Sequence, residues 1–252
     1  MSSARFAHTL ALAPALVVVV ALSFSTTTRA AEPTAADLLK RYDAVMSPVA
    51  FEATVTMTAH RDDGSTRTYE MNVQKSGDDK LRSTFLKPTT ARGQEMLRSG
   101  ENMWLYMPNL KRAVRVASRD SFMGGDFNNA DVLRPNYVAD YDAVLGESGD
   151  PALHLLKLRA KNTSVAYDAI ELLMSKKEQL PVRAKYYARS GKLLRSAEFS
   201  DVKDMGKGAL RPTRIVMQNE IEAARKSEMQ WLTLTLKDEI PSQRFVLDDL
   251  GR

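Results

Sequence analysis

The chain has no cysteine. That excludes disulfides, thiol nucleophiles and thiolate metal sites together. It also excludes acylation at a leader cysteine. Histidine is scarce, with three in 252 residues. Beyond the N-terminal leader only His60 and His154 remain, and neither has an acidic or histidine neighbour at metal-ligand spacing. No G-x-S-x-G nucleophile turn occurs, and no glycine-rich phosphate loop precedes a helical pattern. Asp126 and Asp131 share one loop, and glycosidases do use carboxylate pairs. Spacing alone sets no such geometry, and solvated carboxylates are the ordinary case. The expectation is therefore no catalytic residue, no metal and no cofactor.

Charge of one sign is also missing. The formal net charge is +5, with 36 basic and 31 acidic residues mixed along the chain. That balance gives no reason to expect a nucleic-acid partner. Long apolar runs are absent except for one. Residues 10–24 are apolar, include Val17–Val20, follow Arg5, and precede a polar stretch ending Thr28-Arg29-Ala30. Basic start, short apolar middle and small residues at the last and third-last positions make a secretory leader. The run falls short of the ~20 residues of a membrane span and contains Pro14. Residues 1–30 are read as a signal peptide cut near Ala30, and residues 31–252 as one exported, soluble domain in the periplasm.

What is present is alternation. Thr34 and Asp37 predict a capping box, opening a short helix with Leu38, Leu39, Tyr42, Val45 and Met46 on one face and Pro48 as its stop. Phe51, Ala53, Val55, Met57 and Ala59 then alternate with polar residues, as do Tyr69, Met71 and Val73 across the turn at Asp62–Ser65. Further strands are predicted at residues 81–87, 92–98, 103–107, 141–145, 152–160, 169–174, 182–188, 193–199, 213–217 and 229–236. Trp104 and Tyr106 oppose Met103, Leu105 and Met107, so the strand they share is expected to be covered on both faces. Residues 118–135 break the rhythm, with one helical turn predicted near Asn128–Leu133. About eleven strands with short turns predict a large, curled or barrel-like antiparallel sheet.

Twelve methionines are many for this length, and several lie on predicted strand faces. Methionine packs ordinary cores and also lines surfaces that accept variable apolar shapes; composition leaves both open. A basic cluster, Lys111, Arg112, Arg115, Arg119 and Arg134, flanks the irregular segment. It fits a solvated face, or a contact with lipid headgroups or an acidic partner.

One ordered set of residues resembles a known family. Met103-Trp104-Leu105-Tyr106-Met107-Pro108, Lys111-Arg112, Arg115-Val116 and Phe122-Met123-Gly124-Gly125-Asp126-Phe127 are similar to the middle of the LolA-like outer-membrane lipoprotein-sorting proteins. Tyr167–Leu172, Leu180-Pro181-Val182, Tyr186-Tyr187, Gly191-Lys192, Phe199–Val202, Pro212-Thr213-Arg214, Phe245 and Leu250 follow in that family's order. The resemblance implies a mainly β protein with a few short helices: an unclosed antiparallel β-barrel with a helical lid over an apolar cavity. It implies a carrier of lipoprotein or lipid acyl chains and no enzymatic activity. An inner-membrane transporter of the ABC or RND type and an outer-membrane acceptor are the implied partners, with the carrier a monomer. A periplasmic sensor or exporter-accessory module stays open, as, more remotely, does a hydrolase. On this reading Val55, Met57, Met71, Val73, Met103, Leu105, Met107, Met217 and Met229 are expected to line the cavity. Leu39, Tyr42, Phe122, Met123 and Phe127 form the lid, and Lys111, Arg112, Arg115 and Arg119 meet headgroups or a partner.

Overall fold

The computed structural model describes residues 32–252 apart from Pro135 and Lys207. The leader read over residues 1–30 lies outside the described residues. Helix α1 spans Ala35–Met46. Its capping box forms: the Asp37 N–H donates to Thr34 Oγ1 at 3.2 Å, and the Thr34 N–H donates back to the Asp37 carboxylate at 3.2 Å. All five residues of the predicted apolar face are buried.

Thirteen strands among the described residues make one antiparallel sheet. Six come first: β1 Ala50–His60, β2 Thr66–Ser76, β3 Lys80–Lys87, β4 Glu95–Ser99, β5 Asn102–Met107 and β6 Arg112–Arg115. Seven follow: β7 Tyr141–Gly146, β8 Leu153–Ala160, β9 Ala169–Ser175, β10 Pro181–Tyr187, β11 Leu193–Asp204, β12 Leu210–Asn219 and β13 Lys226–Leu236. Within each run every strand pairs with its sequence neighbours, and β1 pairs with β13, which joins the two runs. Strands β6 and β7 are left as the two edges, so the sheet is unclosed. Alternation sets which side faces in. In β1 and β2 every second residue, from Phe51 to Ala59 and from Tyr69 to Val73, is nearly inaccessible, while the polar residues between them are half-buried.

A helix at Tyr137–Asp140 lies outside the predicted elements, β11, β12 and β13 extend beyond their predicted bounds, and two further details differ from the sequence reading. Strand β6, Arg-Ala-Val-Arg, is too short and too polar to show an alternation; it exists because Leu105 and Tyr106 pair with Val114 and Ala113. Strand β4 starts at Glu95 and not at residue 92, because the amides of Ala91, Arg92 and Gln94 close turns onto Pro88 and Ala91.

The two edges are connected by residues 116–140. This segment holds a single 3-10 turn at Phe122–Gly124, helix α2 at Asn129–Leu133 and helix α3 at Tyr137–Asp140. Phe122, Phe127, Leu133 and Tyr137 from it share the main core with α1 and the inward strand residues. Helices α1 and α3 are tied together: Asp43 accepts from the Tyr137 and Val138 amides at 3.0 and 2.8 Å, and the Tyr42 and Tyr137 rings stack at 4.8 Å. A second, outer cluster covers the other face of β4 and β5. There Ile240, Phe245 and Leu250 pack on Leu97, with Trp104 and Tyr106 against them. This is the double coverage expected of β5.

Candidate functional site

The inward face of the sheet and the segment above it do not quite meet. Between them lies a hollow of about 60 Å³. Its floor is Phe51, Val55, Met71, Val73, Leu81, Ile215, Met229 and Trp231; its roof is Tyr42 and Met46 from α1, with Phe127, Asp131 and Val132. Apolar side chains dominate because all the floor residues are inward members of alternating strands. The volume is smaller than the ~150 Å³ that accepts a benzene ring. The remaining space over the inward face is filled by side chains of α1 and residues 116–140.

Val55, Met71, Val73 and Met229, expected in the lining, are in it. Met57 is fully buried nearby: a Cβ built on Gly125 would lie 3.3 Å from its Cε, so it sits beneath the roof segment. Met103 and Met217 are buried in the same core, and Leu105 packs on its margin, but none of the three borders the hollow. Met107 is half-buried and also away from it. Of the expected lid, Tyr42 and Phe127 border the hollow. Leu39 and Phe122 are buried in the same core but do not border the hollow, and Phe122 stacks on Phe85 at 5.9 Å. Met123 stands at φ +52°, a conformation uncommon for its type, and its carbonyl accepts from the Tyr69 hydroxyl at 3.4 Å. Phe51, Leu81, Ile215 and Trp231 in the floor and Met46, Asp131 and Val132 in the roof were missed. Phe51 belonged to the β1 alternation already recognised, and Trp231 lies two residues from Met229 on the same side of β13.

Polar groups anchor the roof. The Asp126 N–H donates to Ser227 Oγ, which donates to the Asp126 carboxylate, both at 2.9 Å; Asn219 Nδ2 adds a third bond at 3.0 Å. Arg225 approaches that carboxylate to 3.7 Å. Asp131 accepts from the Asn128 amide and from the Tyr167 hydroxyl. Burial pushes its carboxyl up to about 6, the hydrogen bonds offsetting only part of the shift. Burial likewise raises Asp43 to about 6, against the two amide hydrogen bonds. The Asp126–Asp131 pair weighed as catalytic is thus divided between separate anchoring partners. Among the described residues no group of three histidines or carboxylates is placed to hold a metal.

The basic cluster does not converge. Lys111, Arg112 and Arg115 are exposed on the β5–β6 hairpin, and Arg115 donates to Asn102. Arg119 donates to the Val165 carbonyl and faces Asp168 at 3.5 Å. Arg134 is buried in a bidentate pair with Asp140, which holds its guanidinium well above the ordinary range.

An open antiparallel sheet rolled around a helical plug, with an apolar hollow between, is the architecture of LolA-like proteins. A LolA superfamily protein from Nitrosomonas europaea superposes with a TM-score of 0.77 at 25% identity, covering 86% of this chain and 99% of that one. A DUF1329 family protein from Desulfovibrio piger gives 0.76 at 22% identity, covering 86% and 97%. A putative outer membrane lipoprotein-sorting protein domain from Vibrio parahaemolyticus gives 0.73 at 21% identity, covering 86% and 98%. No curated protein matches. A family model described as "-like: Uncharacterized protein" matches residues 77–252, more than half of the chain, and the chain belongs to the family this model describes, with a LolA-like fold.

Proposed function

We propose that this chain is a periplasmic carrier that binds acyl chains of lipids or lipoproteins between sheet and roof and moves them between the inner and outer membranes. The observation that carries the reading is an apolar hollow between the inward face of the sheet and a separate roof segment held to it by a few hydrogen bonds. Residues 116–140 and α1 fill the space that an alkyl chain would take, and buried hydrogen bonds hold residues 126–131 there. A chain of about ten buried methylenes gains ~8 kcal/mol, which offsets part of the cost of lifting the segment. The kinship to a LolA superfamily protein supports the same reading. On it the leader directs export, a transporter of the ABC or RND type delivers the cargo, an outer-membrane acceptor takes it, and the carrier is a monomeric binding protein without enzymatic activity.

The absence of native cysteine gives a clean test. A Cβ built on Gly125 lies 3.1 Å from Ser227 Oγ, so cysteines at both positions are spaced for a disulfide. The oxidised Gly125→Cys/Ser227→Cys protein should take up a fluorescent fatty acid poorly, and reduction should restore uptake. Equal uptake in both states would rule out roof opening as the entry step.

A further inference from the structure

Arg211 is a buried cation without a counter-ion among the described residues. It stands on β12 at 2% exposure, and among the described residues no carboxylate pairs with it. Its guanidinium lies 3.9 Å over the Trp231 ring. One terminal nitrogen reaches only the Met46 carbonyl at 3.5 Å, Nε reaches the Pro212 carbonyl at 3.4 Å, and the other terminal nitrogen has no acceptor. These contacts are long, and three of the five N–H donors remain unused. Burial pushes the group down to about 10, which leaves it charged at neutral pH.

Its neighbours connect it to the hollow, since both Trp231 and Met46 line it. Met46 is the last residue of α1, where helix carbonyls lack intrahelical donors. Lys75, also buried, takes the next two, donating to the Ser47 and Pro48 carbonyls at 3.2 and 2.8 Å. Two cations from opposite wings of the sheet thus grip the end of α1, and they grip it unequally. Lys75 is well bonded; Arg211 is not. A guanidinium with free donors, stacked on an indole at the margin of an apolar chamber, has the chemistry to hold an oxyanion.

We propose that Arg211 binds the anionic head group, a phosphate or carboxylate, of an amphiphile whose alkyl chain enters the adjoining hollow. This rests on the carrier reading above and adds the class of cargo. The oxyanion takes over the donor now turned to the Met46 carbonyl, so head-group capture and release of the end of α1 are one event.

The chain has two tryptophans, and Trp104 lies in the outer cluster. A Trp104→Phe protein therefore reports on Trp231 alone. Its emission is titrated with decyl phosphate, with decanol and with inorganic phosphate. Decyl phosphate should bind roughly tenfold or more tightly than decanol, the size of a charge-assisted hydrogen bond, and inorganic phosphate should compete only weakly. In Arg211→Met decyl phosphate and decanol should bind equally, and Arg211→Lys should keep part of the preference. Arg211→Met should also melt no lower than the parent, because it removes a charge whose burial is uncompensated.

Equal binding of decanol and decyl phosphate by the parent overturns the role of Arg211 and leaves the carrier reading standing, whether or not the variants fold. Inorganic phosphate binding as tightly as decyl phosphate overturns it too, in favour of a free-anion site. So does an Arg211→Met protein that keeps the preference. Failure of the parent to bind either amphiphile overturns the carrier reading itself.

Discussion

Asp126 and Ser227 bond to each other twice, amide to hydroxyl and hydroxyl to carboxylate, each at 2.9 Å across 101 residues of sequence. The pair joins the roof to β13. Ser227→Ala removes both bonds and leaves a buried amide without its acceptor, which costs ~1–3 kcal/mol. The loss should be local. Amides of residues 122–131 should exchange with deuterium faster in the variant, while β1 and β2 keep their protection. Uniform acceleration across the sheet would show that the pair supports the whole domain and does not latch the roof.

Asp131 and Asp43 predict an unusual pH dependence. Both carboxyls sit at about 6 in the fold, against an ordinary 3.8. For a raised acid the native state holds the proton that the unfolded chain releases, so stability is fully present below about 4 and is lost as pH rises through about 6. At 1.36 kcal/mol per pH unit, Asp131 alone is worth ~3 kcal/mol over that window. The protein should melt higher at pH 5 than at pH 7.5. Asp131→Asn, which mimics the protonated form, should flatten the slope. A parent whose melting point rises steadily from pH 4 to 7.5 would contradict the assignment.

Phe127 offers the simplest way to enlarge the hollow. Its ring is 3% exposed and forms part of the roof. Phe127→Ala should lower stability by ~3–5 kcal/mol through lost transfer and the cavity left behind. If the roof opens for ligand, the same change should strengthen uptake of a fluorescent fatty acid, since less packing has to be broken. A variant that melts lower and binds more weakly would place Phe127 in direct contact with the ligand.

The alternating strands and α1 were legible because each has one wet and one dry face, and a period of two or 3.6 records that difference. The apolar face of α1 and the inward residues of β1 and β2 followed directly. Strand β6 was invisible because its pairing partner, not its own four residues, makes it a strand. The hollow was only half legible. Inward position can be read from alternation, which found Val55, Met71, Val73 and Met229. Which inward residues meet the roof depends on where residues 116–140 cross the sheet, so Met103 and Met217 looked equivalent to Met71 and are not. Arg211 left no signal at all, since an arginine in a strand is ordinarily solvated and only the packed structure shows it without a counter-ion.

A last prediction concerns the outer face, where the chain's end is held by another buried arginine. Arg82 is 1% exposed, yet its donors are well used. It donates to the Glu95 carboxylate at 2.6 and 3.1 Å, to the Asp249 carboxylate at 2.5 Å, and to the Arg244 and Asp249 carbonyls at 3.0 and 3.1 Å. Arg82 therefore pins the 3-10 turns at Ser242–Phe245 and Leu247–Asp249 over β3 and β4. Arg82→Ala strips these partners and leaves Glu95, 5% exposed, as an unpaired buried charge. Breaking such a network from one side costs ~3–5 kcal/mol. Arg82→Met should therefore destabilise almost as much as Ala, whereas the Arg211→Met change should not, because one removes a paired cation and the other an unpaired one. Thermal melts of the two methionine variants side by side decide this. If both fall equally, pairing does not distinguish these two arginines, and the contrast drawn between them fails.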